Sequence, residues 1–398
     1  MTFQNISMLH VYFMREAEKI PLGRLALKDR KIFFEYSPEF LKTGLELSPF
    51  KLPLKSGVIA CEDGLFEGLF GVFNDSLPDG WGRLLLDRKL MKLSLNPGDL
   101  SPLDRLRYVG AHGMGALVYE PEIKGMNLAS HEDLDEISHE ALQFQENRGD
   151  QFVEDLLDMN GSSAGARPKI LTAREGKDWI IKFRSSLDPL DMGPIEYAYH
   201  LMAQEAGLVV PSAKIFPSKK GPGYFGVERF DRAQQNRLHM HTMSGLLHAD
   251  HRIPNLDYET ILRATLWLTK DVRESEKLFR AAVFNVLSHN RDDHAKNFSF
   301  LMDEKGAWKV SPSYDLTFSS GPSGEHCTTV MGEGKNPSLS HLLKLSEVGG
   351  MKKQNALQLI DEVKSSVSKW QTHAQTAGVQ SASLKRIQAS LNQTLKIY

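Results

Sequence analysis

His289-Asn290-Arg291-Asp292-Asp293-His294-Ala295-Lys296-Asn297 is the stretch on which the fold turns. Just upstream, Phe279, Val283, Val286 and Leu287 recur at helical spacing and predict a helix with one apolar face. Downstream, FSFLM (298–302), a polar turn at Asp303-Glu304-Lys305-Gly306 and AWKVS (307–311) predict a hairpin that delivers Ser313-Tyr314-Asp315-Leu316. A loop rich in Asp and Asn is often a plain turn, because those side chains cap helices and tolerate turn backbone. The second aspartate after the hairpin is what lifts this loop above a turn.

Aspartate, asparagine five residues on, hairpin, second aspartate: protein kinases carry their catalytic aspartate and two metal-side ligands in this order. Phosphoryl transfer needs a carboxylate to align the attacking hydroxyl and accept its proton, and oxygen ligands to hold magnesium against a triphosphate. Asp292 is the candidate catalytic group, with Asn297 and Asp315 as candidate magnesium ligands. His294 and Lys296 would place hydrogen-bonding or positive character beside the phosphates. Such a site also needs a strand lysine held by a helix glutamate. Lys182 lies in Trp179-Ile180-Ile181-Lys182-Phe183, where a charge among apolar neighbours is costly unless paired. Glu196 follows 14 residues later, in the first turn of a helix predicted over 193–208 from Pro194 near its start and Gly207 near its end. PKILTA (168–173) and DWIIKF (178–183) predict a hairpin closed by 174–177. Ahead of it, Gly161-Ser162-Ser163-Ala164-Gly165-Ala166-Arg167-Pro168-Lys169 matches neither Walker A nor GxGxxG, yet small residues there let backbone N–H groups approach phosphates.

Composition bounds the rest. The 398 residues carry a net charge of −2 with 41% hydrophobic and 25% charged residues, which excludes a disordered tail and a dedicated nucleic-acid coat. No run approaches the roughly 18 apolar residues of a membrane span, and the N-terminus lacks a basic segment followed by an apolar core, so a cytoplasmic protein is expected. The two cysteines, Cys61 and Cys327, form no zinc or disulfide pattern. Near neutrality hides an uneven distribution: residues 131–158 hold ten acids and one base, a net −9, against +7 elsewhere. Such a run reads as a solvated helix face or linker. It separates a predicted α+β unit over 1–130 from the remainder. In that unit LHVYFM, GRLALK and KIFFEY are strands, helices follow Pro78-Asp79-Gly80 and cover LDRLRYV up to Gly110, and 113–119 returns as a strand. Residues 159–232 are predicted as a β-rich lobe and 233–398 as an all-helical one, an α+β, two-lobed, kinase-like architecture with the acidic connector at 131–158. His239, His241, His248 and His251 fit no standard zinc spacing and read as part of an inter-lobe connection. A basic excess of +5 over 341–398 reads as solvated helical surface.

GSSAGARPK, WIIKF, PIEYAYHLMAQEAGLVVP, VERFDR, NRDDHAKNFSFL and SPSYDL, in that order, resemble the HipA family of serine/threonine kinase toxins, and SLPDGWGR and HGMGAL resemble its N-terminal subdomain. The resemblance implies Mg-ATP as co-substrate, a helix-turn-helix antitoxin as partner, contact with operator DNA mainly through that antitoxin, and a protein substrate such as an aminoacyl-tRNA synthetase. Carried over by position, it makes Asp292 catalytic and Asn297 and Asp315 metal ligands. Lys182, His294, Lys296 and Tyr314 then line the ATP site, Glu228 and Phe230 form the hinge beside adenine, and the backbone of Ser163, Ala164, Gly165 and Ala166 covers the phosphates. Ser162 takes the position of an autophosphorylated loop serine, with Ser163 beside it as a second candidate. A small-molecule kinase on the same fold, and a co-repressor with vestigial activity, are the alternatives.

Overall fold

The structure is a computed structural model that describes residues 5–16, 18–123, 133–146, 148, 153–160, 165–233 and 236–398. The N-terminal region forms an antiparallel sheet from β1 (Met8–Arg15), β2 (Glu18–Lys28), β3 (Lys31–Tyr36), β4 (Val58–Ala60) and β5 (Leu117–Glu120), in the order β4-β3-β2-β1-β5. Asp29 and Arg30 both take positive φ, the backbone of a tight hairpin turn, where the polar turn is predicted. Helix α1 (Gly80–Lys92) follows the Pro-Asp-Gly turn. Helix α2 (Pro102–Val109) starts on a capping box between Ser101 and Asp104, with Pro102 in its first turn.

Of the two readings of the acidic stretch, helix face or linker, its described residues form helices. Helices α3 (Leu134–Gln145) and α4 (Val153–Asn160) are packed, not a solvated linker: Leu134, Ile137, Ala141 and Phe144 repeat at helical spacing and bury against Trp81 and Leu85 of α1. Charge dominates the composition of the segment, but on α3 the apolar residues share a buried face while Glu136 is exposed, Asp135 being the buried exception. Asp135 turns inward and accepts bonds from Lys219 N (2.9 Å) and Tyr224 Oη (2.7 Å).

The next sheet comprises β6 (Lys169–Arg174), β7 (Lys177–Lys182), β8 (Ala213–Phe216) and β9 (Tyr224–Glu228), ordered β6-β7-β9-β8, with helix α5 (Met192–Glu205) between β7 and β8. Along β7 the faces alternate: Trp179 and Ile181 bury into the core shared with α1, α3 and α4, which sends Ile180 and Lys182 to the opposite face. Beyond this sheet come β10 (His239–Thr242), α6 (Tyr258–Thr269), α7 (Val272–Leu287), β11 (Ser299–Met302) and β12 (Trp308–Val310). They are followed by α8 (Leu339–Val348), α9 (Lys353–Ser368), α10 (Trp370–Ala377) and α11 (Ser381–Leu395). The helical lobe is thus not all helix: the predicted hairpin β11–β12 acquires β10 as a third antiparallel strand. Phe279, Val283, Val286 and Leu287 of α7 are buried, in a core continuous with that of the N-terminal sheet. Among the described residues no helix is long and apolar enough to cross a membrane.

Candidate active site

A cleft runs between the β6–β9 sheet and the helical lobe, and the N-terminal region closes one side of it. Lys182 ends β7, an interior strand, so its side chain is sheltered at 10% exposure. Its Nζ donates to Glu196 Oε2 at 2.8 Å and to Asp315 Oδ1. Glu196 on α5 is 2% exposed, a burial tolerable for a carboxylate only with such partners. Lys169 sits directly across the ladder from Lys182. Two lysines opposite one another repel, and the acids between them offset this. Burial would push Lys182 down, but Asp315 and Glu196 hold it above the usual lysine range. Lys169 is pushed down by its burial, with Asp315 opposing. Burial would lift Asp315, yet Lys182 and Lys169 hold it well below the usual carboxylate range. Asp315 also takes a φ of 57°, a left-handed backbone that Asp tolerates better than most residues.

The loop after α7 brings in the other lobe. Asp293, fully buried, anchors it, accepting from Tyr258 Oη (2.8 Å) and Thr328 N (3.2 Å) and lying 2.9 Å from His326 Nδ1. With its neighbour fixed, Asp292 remains accessible in the cleft. Enclosure pushes the Asp292 carboxyl above the usual carboxylate range; His294 and Arg167 oppose this and Asp315 adds to it. Asn297 Nδ2 donates to Asp292 O at 2.7 Å, which leaves Oδ1 as its remaining acceptor. Tyr314 Oη donates to Lys296 O at 2.5 Å, and its ring meets Phe230 at 5.5 Å between centroids. Asp292, His294, Lys296, Asn297, Tyr314, Asp315, Lys182, Glu196, Gly165, Ala166, Glu228 and Phe230 all line the cleft. The Glu228 carboxylate pairs with Lys177 at 2.6 Å, and the backbone N–H groups of Glu228 and Arg229 donate to Ser212 O and Asp178 O, both at 2.8 Å. Ser162, Ser163 and Ala164 lie outside the described residues.

Among the described residues no group of three or more His, Cys, Asp or Glu is arranged to hold a metal by itself. Magnesium with a nucleotide does not need one: one or two protein oxygens complete a shell made largely of phosphate and water. The Asp315 carboxylate and Asn297 Oδ1 are hard oxygen donors of that kind.

Several residues at the site carried no role in the sequence. Arg167 grips Asp188 through two bonds (3.0 and 3.2 Å) and reaches Glu196 at 3.5 Å, tying the end of the glycine-rich segment to the loop before α5. An arginine six residues beyond Gly161 gives no hint of this, since its partners lie 21 and 29 residues away. The N-terminal region braces the segment that follows β9: Asp231 accepts from Gly115 N at 2.7 Å, and Arg232 donates to Gly113 O (2.9 Å) and Gly115 O (3.0 Å). HGMGAL and VERFDR, noted separately in the sequence, are two sides of one contact. The four histidines line a seam with the same region. His241 Nδ1 lies 2.6 Å from Asp75, and His239 Nε2 lies 2.9 Å from Leu47 O. His248 Nδ1 reaches Asp63 at 3.1 Å while its Nε2 accepts from Gly71 N at 2.9 Å. His251 Nε2 lies 3.5 Å from Asp79.

Comparison with known proteins agrees with this architecture. The HipA-like C-terminal domain family matches residues 161–370 and the HipA N-terminal domain family matches 16–120. A solved HipA chain, from the complex of Shewanella oneidensis HipA, HipB and operator DNA, superposes with a TM-score of 0.72 at 16% identity, covering 98% of this chain and 97% of that one. At that identity the likeness shows the two-lobed, kinase-like α+β fold. Two Sinorhizobium fredii proteins that carry kinase names are also similar: Y4dM, 25% identical over 154 residues (35% of this chain, 37% of that protein), and Y4mE, 31% identical over 139 (31% and 32%). The matched segment spans about a third of the length of these curated relatives. With a family match over more than half of its length, the chain belongs to the HipA family.

Proposed function

We propose that the protein is an ATP- and magnesium-dependent serine/threonine protein kinase of the HipA toxin type. One observation carries this reading: Lys182, Glu196 and Asp315 converge in an ion-paired cluster at the cleft into which Asp292 and Asn297 open. In the reaction Asp292 accepts the proton of a serine hydroxyl as that oxygen bonds to the γ-phosphorus of ATP and the bond to ADP breaks. A carboxyl lifted above its ordinary range is the stronger base for this step. Lys182, kept protonated by its two acids, holds the phosphates, and the adenine lies against the backbone of 228–230 beside Phe230 and Tyr314. His294, Lys296 and the backbone of 163–166 complete the phosphate end. Magnesium, held by Asn297 and Asp315, would neutralise charge on the phosphates.

Ser162 or Ser163 is the site of autophosphorylation, which would turn the kinase off. A helix-turn-helix antitoxin neutralises the protein and brings it to operator DNA, a reading supported by the Shewanella complex. The protein substrate is of the aminoacyl-tRNA synthetase kind, and the site of action is the cytoplasm. Incubation with γ-labelled ATP and magnesium tests the proposal. Label on Ser162 or Ser163, and on an added protein, is the expected result; label on small metabolites alone would replace it with a small-molecule kinase.

A further inference from the structure

Asp79 occupies the cap position of α1 but makes no side-chain cap bond to that helix. Its carboxylate is directed into the cleft instead. Oδ1 accepts from the backbone N–H of Gly165, 86 residues away, and Oδ2 accepts from Lys296 Nζ at 2.7 Å, 217 residues away. Trp81 N donates to Gly165 O at 3.0 Å, so Gly165 is gripped at both its amide and its carbonyl. The approach is close enough that a Cβ on Gly80, at φ +41°, would lie 2.7 Å from Gly165 O and 2.8 Å from Ala166 Cα. Lys296 is 7% exposed. A buried lysine without an anion is strongly disfavoured, so the carboxylate is the partner that holds it in place.

We propose that Asp79 is a positioning residue of the nucleotide site, holding Gly165 of the glycine-rich segment and Lys296 of the catalytic loop in one fixed relation at the phosphate end of the cleft. The two groups come from opposite lobes, and Asp79 belongs to neither. The N-terminal region therefore acts as a part of the nucleotide site. The inference rests on the kinase reading above and adds to it a residue that acts only through others. A carboxylate bound to a lysine and a backbone amide could instead be a stand-in for phosphate that nucleotide must displace. The Trp81 N to Gly165 O bond favours positioning, because it grips the segment through a carbonyl that no phosphate would use.

The two roles predict opposite changes in affinity. Binding of a fluorescent N-methylanthraniloyl ATP with magnesium should weaken on the order of tenfold or more in Asp79→Ala, the scale expected for losing a charge-assisted hydrogen bond. The KM for ATP should rise by more than kcat falls. Asp79→Asn is isosteric and keeps an acceptor for Gly165 N–H, so it should fall between wild type and Asp79→Ala, while amide exchange over 165–170 without nucleotide should quicken in both. Unchanged or tighter nucleotide binding in Asp79→Ala, or unchanged exchange and affinity in Asp79→Asn should Asp79→Ala fail to fold, would overturn the proposal. Wild-type protein that binds no nucleotide would overturn the kinase reading and this one with it, and the wild-type control reveals that case before any variant is compared.

Discussion

Two segments meet where Asp79 contacts Gly165 and Lys296, and they are built on different principles. The loop 289–297 concentrates its chemistry locally: Asp292, His294, Lys296 and Asn297 lie within six residues, on a helix-to-strand turn pinned by the neighbouring Asp293. The segment 78–82 holds one ionisable side chain, Asp79, among proline, glycines and a tryptophan, and that side chain finds its partners 86 and 217 residues away. In the proposed reaction the first supplies the reacting groups, of the types that phosphoryl transfer demands. The second supplies placement, for which the requirement is close backbone approach, and small residues meet it. The difference implies that damage to the first should cost chemical rate, whereas damage to the second should cost affinity and docking.

The largest expected effect tests the first segment. Asp292→Asn should lower phosphotransfer on the order of 10³-fold while leaving nucleotide binding close to wild type, measured by label transfer and by fluorescent nucleotide titration. Loss of binding in step with rate would erase the distinction. Lys182→Met removes the cation between Glu196 and Asp315. Unfolding in urea should show a loss of about 3 kcal/mol, because two acids lose the lysine they share in a sheltered site, together with severe loss of activity. Gly80→Ala addresses the second segment: its positive φ and the contact with Gly165 should cost about 2 kcal/mol in the same assay. A silent Gly80→Ala would mean that the close approach is not required.

The pH dependence of stability should carry a mark of the same contact. Burial would raise the Asp79 carboxyl, but Lys296, Gly165 N–H and His251 bring it down to about 2, from 3.8. A depressed carboxyl stabilises the fold fully above its unfolded pKa and loses that contribution as pH falls through its folded value. Up to about 2 kcal/mol should therefore disappear between about pH 4 and pH 2, and the corresponding part of the slope should be missing in Asp79→Asn. The smallest effect is a control outside both segments. Met91→Ser, on an exposed position of α1, should change stability by no more than about 0.5 kcal/mol and leave nucleotide affinity as it was.

How far each feature could be foreseen follows from the range of the forces behind it. Hairpins at 28–31 and 174–177 were readable because tight turns are specified by a few adjacent residues; Glu175 and Gly176 both adopt the positive φ such a turn needs. The α7 stripe was readable because its face repeats within the helix. The acidic run left helix face and linker undecided because net charge describes a composition, while packing depends on which face carries the apolar residues. The histidines could be excluded from a zinc pattern but not matched to Asp63, Asp75 and Asp79, since no local spacing links them.

By itself the sequence determined the elements, the order of lysine, glutamate, aspartate, asparagine and aspartate along the chain, and the family to which that order belongs. These depend on backbone propensity, side-chain periodicity and the residue types a reaction demands, all of which act over short stretches. Only the tertiary structure decided that β7 is an interior strand, that Arg167 braces Asp188 and Glu196, and that the N-terminal region reaches both Asp231, just after β9, and the glycine-rich segment. Each of these is a contact between charges or backbone groups far apart in the chain, and its energy exists only after the cores have brought them within hydrogen-bonding distance.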